Sequence, residues 1–296
     1  MKKKLWMGLL LIPQLGNAQG TSTSGAYLKY PFHATAAATG EAFVADSAQF
    51  SSSFLNPANV FSGSSVNIIV SHTQWIQDVQ TDVVGACLPL LSGSFGFTVV
   101  DASVDGIEVR DIPGPPVATF DSRSTVFQGT YAMPITDGLI AGLSAKYIYE
   151  KIYVDQASGY GVDLGATYTL PVEGLSVGAS VTDLGALAQF RYERNDLPSR
   201  YELGGTYAMD ILGLNSRLAL GYRSALKTDD SGLLVGLESS YESSFIVRAG
   251  YMTGFDTRGF SAGLGIRYLF VTLDYAYVPF SSGFGNANII SLDFRL

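Results

Sequence analysis

Apolar and polar residues alternate with a period of two along most of the chain beyond its first fifth. In one clear case the odd positions from Leu139 to Tyr149 are apolar, whereas Ser144, Lys146 and Glu150 lie at even positions. Because successive side chains of a strand point to opposite faces, this pattern predicts strands with one apolar and one polar face. The same split recurs in residues 201–208, 214–223, 233–242, 245–252, 260–268 and 271–278.

Turn residues divide the alternating region into about fourteen segments of strand length. The predicted strands are residues 65–76, 81–91, 93–103, 124–135, 139–153, 160–170, 175–184, 200–211, 214–225, 233–242, 245–253, 259–268, 270–280 and 287–296. The number is even, as in bacterial single-chain barrels, and each segment reaches the roughly 9 to 11 residues that a tilted strand needs to span a bilayer.

Alternation alone does not separate a soluble sandwich from a membrane barrel, but three further features favour the barrel. Several apolar faces end in tyrosine, as at Tyr222, Tyr251 and Tyr268, which is typical of the aromatic girdle at a membrane interface. Tight connections such as 136–138 alternate with looser ones, of which 104–123 and 185–199 are the longest. The chain also ends within an apolar-faced strand. We therefore predict an all-β fold, a transmembrane antiparallel β-barrel with an N-terminal hatch.

The chain divides into three predicted parts. Residues 1–18 carry three lysines, an apolar run interrupted by Pro13, and small residues at the end, as in a cleaved export signal. Residues 19–64 do not alternate and are rich in Ala, Ser and Thr, which indicates a compact hatch or plug. Residues 65–296 form the barrel, and the predicted location is the bacterial outer membrane, with outer-membrane lipid as a partner.

Composition and charge exclude several functions. The chain is 47% hydrophobic and 15% charged, with a formal charge of -8, so it lacks the basic surface that nucleic-acid binding requires. One cysteine and two histidines are too few for a structural zinc site, and we predict no metal, no cofactor and no catalytic residue. Two matches to G-x-S-x-G, at Ser176 and Ser261, each open an alternating strand, and both histidines lie upstream of them, which excludes a nucleophile elbow.

The predicted inner face carries acids and bases in nearly equal numbers. A general porin more often shows a field of one sign, so the mixture indicates ion pairs that brace a narrow or plugged lumen. The predicted lumen-facing charges are Lys146, Glu202, Arg217, Arg223, Glu238, Arg248, Arg267 and Asp274, together with Glu150, Asp163, Glu242 and Asp293.

Ordered motifs along nearly the whole chain resemble those of FadL-type barrels, and in particular the PorV/PorQ family. The first is GEAFVAD at 40–46, which is followed about ten residues later by Asn56-Pro57-Ala58. The C-terminal quarter is the most similar, with RAGYMTG at 248–254, GFSAGLGIRY at 259–268, LDYAYVPF at 273–280 and ISLDFRL at 290–296.

The resemblance implies a fourteen-stranded outer-membrane barrel with an N-terminal hatch. It makes Asn56-Pro57-Ala58 the hatch tip that holds the plug in the lumen, although the same residues also predict an ordinary turn. Glu41 and Asp46 of the hatch are expected to pair with lumen arginines such as Arg217 or Arg248.

Three functions remain open. PorV-like members assist type IX secretion, so the leading hypothesis is a non-enzymatic barrel whose partners are secretion-machinery subunits and exported cargo. The alternative, after the FadL-like relatives, is a transporter that takes up a hydrophobic small molecule through a lateral opening. A purely structural role is the third. The sequence departs from the PorV pattern in two ways. Its outer loops are short, and the histidine often found after GN is absent from Gly285-Asn286-Ala287-Asn288.

Overall fold

The structure is a computed structural model that describes residues 25–46, 49–110, 114–190, 193–211, 213–255, 257–281 and 283–296. The predicted export signal, residues 1–18, and the start of the predicted hatch, residues 19–24, lie outside the described residues. One short helix, α1, spans Ala34–Ala38, and three 3₁₀ turns span Ala26–Lys29, Phe50–Ser52 and Pro57–Val60. Among the described residues, no helix has the length and apolar character required to cross a membrane.

Fifteen strands follow within the described ranges. They are β1 Asn67–Gln74, β2 Val79–Leu90, β3 Gly93–Val109, β4 Ala118–Thr136, β5 Leu139–Ile152, β6 Asp155–Thr169, β7 Leu175–Phe190, β8 Glu193–Asp196, β9 Arg200–Ile211, β10 Leu214–Ala225, β11 Ser231–Tyr241, β12 Phe245–Met252, β13 Phe260–Tyr268, β14 Val271–Pro279 and β15 Asn286–Arg295.

Fourteen of these strands close into one antiparallel barrel. Neighbours along the chain pair in turn, β7 pairs directly with β9, and β15 returns to β1, where Asn67 lies opposite Arg295. The short β8 pairs with the C-terminal part of β7, from Ala186 onwards, and is not one of the fourteen strands of this ring. The predicted antiparallel barrel of about fourteen strands is confirmed.

The barrel has two ends that we name by their connections. At the turn end β2 joins β3 through Leu91–Ser92 and β13 joins β14 through Leu269–Phe270, and β1 begins and β15 ends there. At the opposite, loop end lie the connections between β3 and β4 and between β14 and β15. Two residues, Tyr153 and Val154, join β5 to β6 at the loop end, so short connections occur at both ends rather than at one.

The two longest predicted connections were wrong. Most of 104–123 belongs to β3 and β4, and 185–199 contains the end of β7 and all of β8. The register shifts between Val104 and Ile107, where Gly106 has a φ of 68°. A bulge of this kind reverses which residues face inwards, so the alternation that reveals the strand is lost at that point.

The outer face of the barrel is apolar and exposed. Leu143, Leu220 and Leu264 are 51%, 57% and 59% exposed, whereas their inward neighbours Ser144, Ala219 and Gly263 are buried. Exposed tyrosines lie on the same outer face near both ends. Tyr168, Tyr207, Tyr241 and Tyr268 lie towards the turn end, and Tyr222, Tyr251 and Tyr277 lie towards the loop end. This is the surface expected for strands that contact lipid.

The interior holds the N-terminal segment and differs between its two sides. On one side, inward residues of β1–β5 such as Ile69, Val83, Val100 and Ile148 form an apolar cluster. On the other side, the inner faces of β9–β15 carry most of the buried charges. The apolar side was not predicted from the sequence, because lumen faces of membrane barrels are usually polar.

Candidate functional site

The described part of the predicted hatch, residues 25–64 without 47 and 48, lies inside the lumen. It begins at the loop end, where Tyr27 and Leu28 are buried, and its α1 contacts the inner faces of β12–β15. It then reaches the turn end at Phe50–Ser52 and turns back to lie against β3–β6 through Pro57–Val60. From Ala34 to Val44 every residue is buried, so this segment is enclosed by the wall on all sides.

Asn56-Pro57-Ala58 docks on the wall through the Asn56 amide. Asn56 Oδ1 accepts a hydrogen bond from the Ala58 N–H at 3.0 Å and so caps the turn that Pro57 begins. Asn56 Nδ2 donates to the Val44 carbonyl at 2.8 Å and to the Ala166 carbonyl of β6 at 3.1 Å. The amide therefore caps a turn, joins two parts of the hatch and fixes both to the barrel. The predicted turn is present, and that the motif holds the plug in the lumen remains a prediction.

Inward glycines form the seat of the hatch. A Cβ at Gly142 or Gly165, which face each other across β5 and β6, would overlap the Asn56-Pro57-Ala58 backbone or the Asn56 amide. The other wall glycines against which hatch atoms lie this closely are Gly178, Gly204, Gly236, Gly250 and Gly263. Sequence reasoning missed this seat, although an inward glycine on most strands from β5 to β13 is the signal that marks a close backbone approach.

Glu41 of the hatch is held by buried arginines. Its carboxylate lies 2.9 Å from Arg223 of β10 and 2.9 Å from Arg258 in the β12–β13 loop. Burial alone would raise the pKa of Glu41, but the charges of Arg223, Arg258 and Arg200 outweigh burial and hold that pKa at about 2. Arg223 also pairs with Glu202, its neighbour across β9 and β10. Arg258, which sequence reasoning missed, also stacks over Trp75.

Asp46 begins a second chain of ion pairs, which joins residues of four strands, β10, β11, β12 and β14. Its carboxylate lies 2.8 Å from Arg217, which lies 2.7 Å from Glu238. Arg248 then lies 2.6 Å from Glu238 and 2.6 Å from Asp274. Of the expected partners, Arg217 therefore contacts Asp46, whereas Arg248 contacts neither Asp46 nor Glu41 in the described structure.

Several contacts of the hatch were not predicted from the sequence. His33 is fully buried, with its Nε2 3.0 Å from Asp293 and its Nδ1 accepting a hydrogen bond from Thr35 N–H. Ser261, from one of the G-x-S-x-G matches, donates to the Ala38 carbonyl at 3.1 Å. Its hydroxyl thus anchors the hatch. Arg267, also predicted to face the lumen, lies at the turn end beside a cavity and donates to Thr272 at 3.4 Å.

The pairing partner of β7 changes along its length. Up to Thr182 this strand pairs with β9, but from Ala186 onwards it pairs with β8 instead. Asp183 lies between the two regions with a φ of 59°, and its carboxylate and that of Asp163 lie 2.5 Å and 2.9 Å from the buried Lys146. The ladder between β7 and β9 is therefore interrupted at the loop end.

A short segment, Leu197–Ser199, closes the wall at this interruption. The Ser199 hydroxyl donates to the Asp183 carbonyl at 2.6 Å, and Leu197 N–H donates to the Gly185 carbonyl at 3.1 Å. Behind the segment, Leu28, Leu187 and Leu197 are at most 2% exposed and belong to one apolar cluster. The buried Lys146 cluster lies beside it, since Leu197 and Lys146 both lie close to Gly161. We name this region, Asp183–Leu187 with Leu197–Ser199, the side wall. Among the described residues no group of His, Cys, Asp and Glu side chains could hold a metal ion.

The fold is similar to that of solved outer-membrane channels. The toluene transporter TodX of Pseudomonas putida has a TM-score of 0.61 at 11% identity, over 89% of this chain and 97% of TodX. The monoaromatic hydrocarbon channel CymD has a TM-score of 0.55 at 11% identity, over 89% of this chain and 97% of CymD. Residues 118–195 match the model of a family of unknown function, DUF5723. No curated protein matches the sequence. The chain thus has the transmembrane barrel fold of outer-membrane channels.

Proposed function

We propose that this protein is an outer-membrane transporter that admits small hydrophobic molecules through the side wall. The observation that carries the proposal is the point at which β7 stops pairing with β9. There, three residues of loop, Leu197–Ser199, cover a packed apolar cluster that includes Leu28 and Leu187. The names of the proteins with this fold, a toluene transporter and a monoaromatic hydrocarbon channel, favour the same class of substrate.

The side wall is weaker than the wall around it. A strand ladder holds each neighbouring pair by a continuous series of backbone bonds, whereas Leu197–Ser199 is held by single bonds to Asp183, Gly185 and Leu226. Moving three residues aside breaks few hydrogen bonds and leaves the Lys146 cluster and the barrel closure intact. Local openings of this kind cost far less free energy than unfolding of the barrel.

The hatch explains why the path would run sideways. An aqueous channel along the barrel axis is blocked by buried hatch residues on an apolar side and by ion-paired residues on a charged side. An apolar solute dissolved in the lipid, however, meets the side wall directly. We place the turn end in the periplasm and the loop end outside the cell, with the chain exported by a cleaved signal at residues 1–18. No enzymatic step is part of this proposal.

Uptake by whole cells tests the proposal. Cells that export the protein to the outer membrane are compared with cells that carry an empty vector, and the uptake of radiolabelled toluene is measured together with that of an equally small, water-soluble sugar. The proposal requires faster uptake of toluene and unchanged uptake of the sugar. Equal toluene uptake by both strains, with the barrel shown to be folded in the outer membrane, would refute it.

A role in type IX secretion is the second candidate, and a surface at the loop end favours it. β3 and β4 extend beyond the level of the outward ion pair of Asp101 and Arg123, so they project from the apolar belt. Near their tip Val117, Tyr153 and Val154 are 65%, 58% and 69% exposed. This projection offers the docking surface for cargo that short loops do not provide, and the motif resemblance to PorV/PorQ supports the same role.

Affinity purification separates the two candidates. A tagged copy is recovered from detergent-solubilised outer membranes of the native host, and proteins and bound lipids are identified by mass spectrometry. Secretion subunits or cargo that are lost on Tyr153→Ser/Val154→Ser substitution would support secretion. A barrel that purifies alone, together with normal cargo export in a deletion strain, would exclude it.

A further inference from the structure

We propose that a cavity at the turn end binds an organic anion, a phosphate or carboxylate attached to an apolar chain or ring. The cavity has a volume of about 390 Å³ and opens between hatch residues 49–51 and the inner faces of β13, β14, β15 and β1. It lies at the other end of the barrel from the side wall, so this site does not depend on the proposed transport.

The carboxylates that line the cavity are paired, whereas two of its arginines are not, among the residues that the structure describes. Each of its three carboxylates has a basic partner, Glu238 at 2.7 Å from Arg217, Asp274 at 2.6 Å from Arg248, and Asp293 at 3.0 Å from His33. Its two outer arginines, Arg267 and Arg295, form no ion pair with any described residue, and the Nε of Arg267 donates a long bond to Thr272. Two guanidinium groups therefore remain available in a chain whose formal charge is -8.

Strand geometry directs both arginines towards the cavity. Arg267 follows Gly263 and Gly265 on the inner face of β13, and Arg295 follows Ser291 and Asp293 on the inner face of β15. β14 lies between them, so their backbones are about 10 Å apart and the long side chains can reach one anion. The fork of N–H donors on a guanidinium matches the paired oxygens of a carboxylate or phosphate.

The remaining lining indicates that the anion carries an apolar part. Phe50 of the hatch and Leu269 and Phe270 of the β13–β14 turn line the same cavity, beside the polar Gln49 and Ser51. Sites for small molecules combine apolar walls with a few polar groups that fix orientation. Because residues 49–51 belong to the hatch, a ligand bound here touches both the plug and the barrel.

Calorimetric titration of the purified protein in a neutral detergent tests the site, with hexyl phosphate as the probe. Hexanol has the chain without the charge, and inorganic phosphate has the charge without the chain. We expect hexyl phosphate to bind at least about tenfold more tightly than either, because hexanol lacks the charge-assisted pairs with the arginines and inorganic phosphate lacks the contacts with the apolar wall. Equal binding of hexanol, or equal binding of inorganic phosphate, would overturn the proposal.

Arginine variants assign the binding to these residues. Arg267→Gln/Arg295→Gln should weaken hexyl phosphate binding by about tenfold or more. Arg110→Gln, an exposed arginine at the loop end, should leave it unchanged. Heat-modifiable migration on a gel reports folding, and if the double variant fails to fold, the single variant Arg267→Glu must abolish binding. Unchanged affinity in a folded variant would overturn the proposal.

A lipid headgroup and a free amphiphile share this chemistry, and nanodiscs distinguish them. The protein is placed in nanodiscs of phosphatidylcholine with a minor fraction of phosphatidylglycerol, and the lipids retained after release into detergent are counted by native mass spectrometry. Loss of retained phosphatidylglycerol in Arg267→Gln/Arg295→Gln identifies a lipid of the periplasmic leaflet. Equal retention, with hexyl phosphate binding still lost, identifies a soluble amphiphile; both results support the anion site.

Discussion

Gly165 of β6 lies directly beneath Asn56 of the hatch, and a Cβ at Gly165 would occupy the place of Asn56 Oδ1. That oxygen caps the turn at Ala58, and the nitrogen of the same amide bonds to Val44 and Ala166. The Asn56 side chain thus fixes the Asn56-Pro57-Ala58 turn to β6, and the absence of a methyl group at Gly165 leaves room for it to do so.

Gly165→Ala is therefore expected to release the hatch tip without opening the barrel. The added methyl displaces the Asn56 amide, which leaves the buried Ala58 N–H without its partner, at a cost of about 1 to 3 kcal/mol. The Val44 carbonyl keeps only a long bond of 3.4 Å from Asn59. We expect larger or more frequent conductance steps in planar bilayers and faster proteolysis of the hatch.

Gly129→Ala is the matched control, because its Cβ would meet only Phe95 at 3.8 Å on the outer face. Both variants should keep the heat-modifiable migration of a folded barrel. If Gly165→Ala conducts and resists protease like Gly129→Ala, the amide at Asn56 does not hold the plug.

The strands and their two faces could be predicted because alternate side chains of a half-buried strand face opposite sides, which gives the sequence an apolar–polar period of two. Predicted and observed bounds agree within two residues for β5 at both ends and for β9–β15. The prediction failed where backbone geometry breaks the period, at the bulge near Gly106 and at Asp183. At a β-bulge two residues of one strand lie opposite one residue of its neighbour, and the period of the sequence does not show where this occurs.

The interior was harder to predict because its contacts join residues far apart in the chain. Asp46 and Arg217 were expected to meet and lie 2.8 Å apart. The partners of Glu41 depend on where the hatch turns inside the barrel, which no local pattern records, and Arg258 lies in a loop that carries no alternation. The side wall was missed for the same reason, since Leu197–Ser199 reads as an ordinary turn around Pro198.

Glu41→Gln should destabilise the folded barrel. Removal of the charge leaves Arg223 and Arg258 buried with only Glu202 as a nearby counterion. Breaking a buried pair typically costs about 3 to 5 kcal/mol. Guanidinium unfolding in detergent, followed by intrinsic fluorescence, should show the loss as a lower free energy of unfolding, whereas Glu173→Gln in the exposed β6–β7 turn should change it by less than about 0.5 kcal/mol.

The same carboxylate predicts how stability depends on pH. The pKa of Glu41 is about 2 in the folded protein, below its ordinary value of 4.5, so the folded state binds the proton less readily than the unfolded state. Its contribution to stability is complete above pH 4.5 and is lost as the pH falls towards 2. The difference in unfolding free energy between wild type and Glu41→Gln should therefore shrink between pH 5 and pH 2.5. A difference that stays constant over this range would contradict the low pKa.

Leu220→Arg tests the lipid face. Leu220 is 57% exposed near the middle of β10, where a charged side chain at the bilayer midplane costs about 2 to 4 kcal/mol. Leu214→Arg, at the first residue of the same strand and on the same outer face, should cost about 0 to 1 kcal/mol because it lies near the interface. Refolding into lipid vesicles and urea unfolding measure both. Equal costs at the two positions would show that Leu220 does not face the hydrocarbon core.

Leu197→Trp should block the side wall if hydrophobic molecules pass there. Leu197 is fully buried behind the wall and packs towards Gly161 and Gly25, so a larger ring fills the space through which a solute would move. Toluene uptake by cells should fall by about tenfold, whereas Leu203→Trp on the lipid face of β9, where Leu203 is 51% exposed, should leave it unchanged.

Leu197→Ala distinguishes a blocked path from a damaged wall. A smaller side chain disturbs packing, at about 2 to 5 kcal/mol of stability, but widens the passage. Passage through the side wall therefore predicts uptake that is maintained or increased in Leu197→Ala and decreased in Leu197→Trp. Equal loss of uptake in both variants would mean that position 197 matters only for folding, and unchanged uptake in both would mean that the solute takes another route through the barrel.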